Sequence, residues 1–163
     1  MVTFSPSNQT ICSENTSTLV TLSSTTSGAT FSWTASQPTG ITGVITSGTN
    51  TIPSQNLVNS TNAPITINYV AVAATNGTST CAGSTFSYTI TVNPRPSITE
   101  SFTEAICSGE SFSITPSNST LNSIPVGTTY SWSAPIITGG ITGGVSATNQ
   151  TSISGTLVNP TNI

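Results

Sequence analysis

Apolar and polar residues alternate along this chain with a period of two, and the 3.6-residue period of an amphipathic helix is absent. The longest such run is Ser84-Thr85-Phe86-Ser87-Tyr88-Thr89-Ile90-Thr91-Val92, which places Phe86, Tyr88, Ile90 and Val92 on one face. Ile65-Thr66-Ile67-Asn68-Tyr69-Val70-Ala71-Val72 is the second strong strand. Between the two, Thr75-Asn76-Gly77-Thr78-Ser79 has the Asn-Gly chemistry of a hairpin turn. Thr30-Phe31-Ser32-Trp33-Thr34 also alternates cleanly, with Phe31 and Trp33 on one face and Ser32 on the other. Thr18 to Leu22 alternates loosely, and Ile41 to Thr46 and Asn56 to Asn59 are shorter candidates. Stretches of Ser, Thr, Gly, Asn and Pro break any helical pattern between them. The pattern predicts an all-β fold.

The pattern also occurs twice. Ile11-Cys12-Ser13 returns as Ile106-Cys107-Ser108, and Phe31-Ser32-Trp33 returns as Tyr130-Ser131-Trp132. Gly40-Ile41-Thr42-Gly43 returns as Gly140-Ile141-Thr142-Gly143, and Leu57-Val58-Asn59 with Thr61-Asn62 returns as Leu157-Val158-Asn159 with Thr161-Asn162. The offsets are 95, 99, 100 and 100 residues. A period of that length exceeds a solenoid unit and equals one small β-sandwich domain. The expected domains are a first repeat at 1–94, a proline-containing linker leading into the next strand at 95–105, and a second repeat at 106–163. The second lacks counterparts of the two strongest strands and is expected to be truncated before them. Continuation of the protein is the favoured completion, with strands from a neighbouring chain the rival. In the junction, Asn93-Pro94-Arg95-Pro96 stiffens the chain through its two prolines.

Composition narrows the function. The chain has no His, Lys or Asp, and its charged residues are Arg95, Glu14, Glu100, Glu104 and Glu110. Ser and Thr exceed a third of the residues, so hydroxyls rather than ions wet the surface. Regularly spaced apolar residues and a net charge of −3 argue for a folded chain. A pI near 4.1 is wrong for a nucleic-acid partner or an anionic membrane surface. No run of 18 apolar residues exists, so no membrane insertion by a helix is expected. Met1-Val2-Thr3-Phe4-Ser5-Pro6 lacks the basic and apolar regions of a signal peptide, and the segment is expected to be internal to a longer protein.

Three cysteines fit the repeat if Cys12 pairs with Cys81 and Cys107, the counterpart of Cys12, is orphaned because the match to Cys81 falls beyond Ile163. One disulfide per repeat implies an oxidising, extracellular setting. A Zn site is the rival, but widely spaced cysteines without His do not make a tetrahedral set.

The motifs Ile106-Cys107-Ser108-Gly109, Tyr130-Ser131-Trp132, Thr138-Gly139-Gly140-Ile141-Thr142-Gly143-Gly144 and Ile153-Ser154-Gly155-Thr156-Leu157 resemble the PKD-like repeats of giant secreted proteins of Bacteroidetes. So does Tyr88-Thr89-Ile90-Thr91-Val92-Asn93-Pro94-Arg95-Pro96, and the resemblance covers essentially the whole chain. It implies tandem immunoglobulin-like β-sandwiches with adhesive or stalk roles at the bacterial cell surface. Similar arrays occur in flavobacterial adhesins, including the filamentous adhesin of gliding motility exported by type IX secretion. The first repeat departs from the pattern, with Glu14-Asn15-Thr16 in place of the usual Gly after Cys-Ser. The resemblance supplies no catalytic residues.

The residues themselves point away from chemistry. Without His, Asp or Lys there is no Ser-His-Asp triad, Ser-Lys pair or Lys–Asn isopeptide bond. A carboxylate pair would need two glutamates across a cleft, yet Glu100, Glu104 and Glu110 fall in or beside the linker. Calcium clamping is disfavoured by the lack of Asp. Six Asn-X-Ser/Thr matches are near chance in a chain this rich in those residues. No enzyme, cofactor or metal is expected. Trp33 and Trp132 are expected as core aromatics; stacking on sugar is the alternative. The expected role is a stalk or weak multivalent binder whose partners are neighbouring repeats and polysaccharide or other external surfaces. A carbohydrate-binding module and a self-assembling fibre subunit completed by strand donation are the alternatives.

Overall fold

The computed structural model describes residues 2–75 and 81–161. The chain forms two compact units, Met1–Arg95 and Pro96–Ile163. The first contains β1 (Val2–Ser5), β2 (Gln9–Cys12), β3 (Val20–Ser24), β4 (Ala29–Ala35), β5 (Ile41–Thr42), β6 (Ser47–Thr49), β7 (Thr51–Ile52), β8 (Val58–Asn59), β9 (Ile65–Thr75) and β10 (Cys81–Asn93). One sheet has the order β1-β3-β7 and the other β2-β10-β9-β4-β6, with β5 and β8 forming a separate pair. The all-β immunoglobulin-like sandwich expected from the sequence is the fold observed.

Alternation decides which side chains enter the core. In β3, Val20 and Leu22 are buried while Thr21 and Ser23 are exposed. In β4, Phe31 and Trp33 are buried and Ser32 and Thr34 face outward. In the long central hairpin, Ile67, Tyr69 and Ala71 of β9 meet Tyr88, Ile90 and Val92 of β10 in a single cluster. Each fully buried side chain of this size contributes about 1.5–3 kcal/mol of transfer free energy. The hairpin register runs from Thr75 opposite Cys81 to Ile65 opposite Val92, with an irregularity between Ala82 and Thr85. The expected Asn-Gly turn falls on residues 76–80, outside the described residues.

Several strands depart from expectation. The expected strand Ile41 to Thr46 stops at Thr42, because Gly43 takes φ +84 and turns the chain. The expected Thr18 to Leu22 is observed two residues later, as β3. β1, β2, β6 and β7 were not foreseen. β2 has little alternation of its own and is a strand because it pairs in parallel with β10, from Gln9 opposite Ile90 to Cys12 opposite Asn93.

The second unit contains β11 (Ser97–Ile98), β12 (Ser111–Ile114), β13 (Asn122–Ser123), β14 (Tyr130–Trp132), β15 (Ala147–Gln150) and β16 (Ile153–Thr156). They pair as β11–β13, β12–β16 and β14–β15. β11 and β13 lie together within this unit, so part of the expected linker is strand. The sequence repeat is reproduced in the hydrogen bonds. Glu14 N donates to Leu57 O and Gly109 N to Leu157 O, at 2.8 and 2.9 Å. Ser13 Oγ accepts from Asn59 N, and Ser108 Oγ from Asn159 N, both at 3.0 Å. The pairing of Thr42 with Val58 returns as Thr142 with Val158. Glu14 has φ +69 where its counterpart Gly109 has φ +87, which accounts for the Gly in the second copy of the motif.

Candidate functional site

The residues with the most chemical potential are the aromatics of the first unit, and the sandwich encloses them. Trp33 is 2% exposed and its indole Nε1 donates to Thr51 O at 2.9 Å. Its ring lies 5.7 Å from that of Tyr69, which lies 6.0 Å from Tyr88 in an edge arrangement. Phe4 stands 5.3 Å beyond Tyr88. Gly48, opposite Trp33 on β6, leaves room for the indole, since a Cβ there would sit 2.4 Å from Cζ2. Such tilted and edge contacts add about 0.5–1.5 kcal/mol per pair beyond area burial.

In the first unit, each buried tyrosine hydroxyl is satisfied by glutamine. Gln55 Nε2 donates to Tyr69 Oη at 3.0 Å, and Gln9 Nε2 donates to Tyr88 Oη at 2.8 Å. Gln55 also accepts from Ile45 N at 2.6 Å through Oε1, tying the loop to the core. Among the described residues no buried side-chain nitrogen or oxygen lacks a partner. Sequence reasoning missed these two glutamines: Gln55 lies outside any strand and Gln9 opens β2, a strand with little alternation, so neither signals a buried partner until the fold is known.

Burial raises the pKa of Tyr69; Gln55 opposes the rise and nearby Tyr88 adds to it. Burial likewise raises that of Tyr88, against the hydrogen bond from Gln9. Above pH about 10 the unfolded chain loses these phenolic protons while the folded chain holds them. Stability from this source is therefore complete below pH about 10 and falls as pH rises further toward the folded-state values. Urea midpoints measured across this range are expected to fall above pH about 10; an unchanged midpoint there contradicts the burial of these hydroxyls.

The other residues singled out by sequence are dispersed. Trp132 is half-buried and its Nε1 donates to Val145 O at 3.0 Å. The Cys12–Cys81 bridge is not formed, and Cys12 and Cys107 are free, exposed thiols. The backbone register gives the reason. Cys12 lies opposite Asn93 and Cys81 opposite Thr75, at the two ends of the 13-residue β10. At about 3.3 Å per residue the two ends are roughly 40 Å apart, whereas a disulfide needs Cα atoms within about 7 Å. The motif repeat located the cysteines in sequence but carried no information on strand direction. The oxidising setting drawn from the bridge loses that support.

Among the charged residues, Arg95 Nη1 binds Glu14 Oε2 at 2.7 Å, both side chains more than half exposed. Glu100 accepts from Asn122 Nδ2 at 2.7 Å, and Glu110 accepts from Cys107 N at 3.2 Å. These carboxylates each serve local backbone or side-chain partners. Among the described residues no group of three metal-ligating side chains occurs. Among the described residues no helix is long and apolar enough to cross a membrane.

Comparison with known proteins agrees with this picture of a packed, repeating sandwich. A family described as PKD-like domain matches residues 9–96, more than half of the chain. No curated protein matches.

Proposed function

Since the chain belongs to the PKD-like domain family, a family of structural and adhesive repeat modules, we propose that it is a spacer segment of a large bacterial surface adhesin that carries tension between a tip and the cell. Its role is non-catalytic. PKD-like domains are common in extracellular proteins, which fits a place at the cell surface. The sequence resemblance to repeats of Bacteroidetes favours a flavobacterial adhesin exported by type IX secretion.

The observation that carries this reading is the parallel pairing of β2 with β10. β2 lies near the start of the first unit and β10 at its end. Tension between the two ends pulls these strands in opposite directions along their shared axis. The paired residues from Gln9–Ile90 to Cys12–Asn93 are then loaded together in shear, rather than opened one after another. Asn59 reinforces the same end, its Nδ2 donating to Val92 O and to Ala63 O, both at 2.8 Å. Burial of Trp33 favours a spacer over a sugar-stacking module, since a ring 2% exposed offers no face to a pyranose.

Single-molecule extension of the full chain tests this. With handles at Ser7 and Pro96, the first unit is expected to hold and then rupture once, releasing roughly 300 Å of chain at about 3.5 Å per residue. With handles at Gly28 and Thr75, beside the paired ends Ala29 and Thr75 of β4 and β9, it is expected to unzip at distinctly lower force. Equal forces in the two geometries would remove the support for tension bearing. Binding of the chain to immobilised polysaccharide, abolished by a folded Trp33→Phe variant, would favour the sugar-binding module instead.

A further inference from the structure

We propose that Glu14 and Arg95 form a salt-sensitive latch that holds the exit of β10 against the turn after β2, so that local opening of this end of the first unit responds to ionic strength. The latch is a property of the first unit at equilibrium and does not depend on the tension-bearing reading.

The placement of charge points to it. Residues 1–95 contain two charged side chains, Glu14 and Arg95, and they lie 81 residues apart in sequence. The fold brings the two together, with Arg95 Nη1 donating to Glu14 Oε2 at 2.7 Å. Arg95 Nη2 also reaches Asn15 Oδ1, at 3.5 Å. Charges that served only to wet the surface would have no reason to meet.

The backbone under Glu14 points the same way. Glu14 takes φ +69, a left-handed conformation that a residue with a Cβ seldom adopts. The same point of the second copy is Gly109, with φ +87. Glycine satisfies the turn without strain, so what glutamate adds here is its carboxylate.

Both partners are held in place before they meet. Glu14 N donates to Leu57 O at 2.8 Å, Asn56 Nδ2 donates to Glu14 O at 3.2 Å, and Asn15 N donates to Cys12 O at 3.1 Å. Arg95 stands between Pro94 and Pro96, which fix their own φ and restrict the residue between them. An exposed ion pair is ordinarily weak, because ordering two mobile side chains offsets its attraction. Here the backbone share of that ordering is already supplied, which places the pair at the upper end of the range.

Its position decides what it holds. The pairing of β2 with β10 ends at Cys12 opposite Asn93, and Ser13 N donates to Asn93 O at 2.7 Å just beyond. Glu14 follows Ser13, and Arg95 lies two residues past Asn93. Fraying from this end therefore meets the ion pair before the Ser13 bond. The two side chains are 53% and 57% exposed, so salt reaches the pair and breaking it leaves no buried charge.

Amide hydrogen exchange of Ser13 in the full chain reads the opening. At low salt, Glu14→Gln and Arg95→Gln are each expected to speed it about fivefold, the upper end of what an exposed pair supplies. The double variant is expected to exchange no faster than either single one, because one shared contact is lost once. At about 1 M salt, where the screening length falls to about 3 Å, the unaltered chain and the variants are expected to agree within about twofold. Glu14→Gly separates the carboxylate from the backbone. It relieves the left-handed conformation, so exchange of the core amides of Tyr69 and Ile90 is expected to stay the same or slow, while that of Ser13 still speeds up. Equal Ser13 exchange in all chains at low salt overturns the proposal. So do multiplied effects in the double variant, or single-variant effects that persist unchanged at high salt, which would make the two residues separate structural supports.

Discussion

Trp33→Ala is expected to destabilise the first unit by about 3–5 kcal/mol, the usual cost of truncating a large buried aromatic. The indole is 2% exposed, rests against Tyr69 at 5.7 Å and holds Thr51 O through Nε1. Removing it loses apolar contact, leaves a carbonyl without its donor and opens a cavity beside Gly48, whose missing side chain cannot help fill it. A domain of this size is stable by about 5–15 kcal/mol in all, so the variant is expected to lie near its unfolding threshold. Trp132→Ala provides an internal comparison at the equivalent position. Its ring is half-buried and makes the same kind of bond, to Val145 O, so it is expected to lose no more than about half as much. Urea unfolding followed by hydrogen exchange separates the two units. A loss below about 1 kcal/mol for Trp33→Ala contradicts a core role. A larger loss for Trp132→Ala would mean that its surroundings, not those of Trp33, form the principal aromatic core.

How far this was legible in the sequence depends on which force set each element. The face made by Tyr88, Ile90 and Val92 could be read directly, because one side of a strand was buried and alternation is the signature of that burial. The matching of Phe31-Ser32-Trp33 with Tyr130-Ser131-Trp132 was legible for the same reason. β2 was not, since its strand character comes from a partner some 80 residues away. The cysteine pairing failed at that same point: spacing along the chain says nothing of which end of a 13-residue strand each cysteine reaches. The glutamines Gln9 and Gln55 were missed because their value lies in meeting two buried phenols, a need that exists only once the sheets have packed. Polar satisfaction follows from the fold; the apolar period precedes it.

Gly43 carries the second large effect, and the repeat supplies its own check. Gly43 has φ +84, and a Cβ built there would lie 2.0 Å from Asn56 O. Gly143 repeats the arrangement with φ +98 and 2.2 Å to Thr156 O. The backbone can come this close only where no side chain intervenes, and the close approach sits beside the pairing of Ile41 with Asn59 and Thr42 with Val58. Gly43→Ala therefore faces two costs, the left-handed backbone at about 1–2 kcal/mol and separation of the two segments. A total of about 3 kcal/mol or more is expected, with the loss centred on Leu57 and Asn59, both buried. Gly28→Ala isolates the first cost, because Gly28 has φ +72 but nothing within 4 Å of the added carbon. It is expected to lose only about 1 kcal/mol. Urea midpoints of the two variants decide the matter: a clear gap assigns the cost to the contact with Asn56, whereas equal losses would reduce it to backbone conformation and leave the close approach without energetic weight.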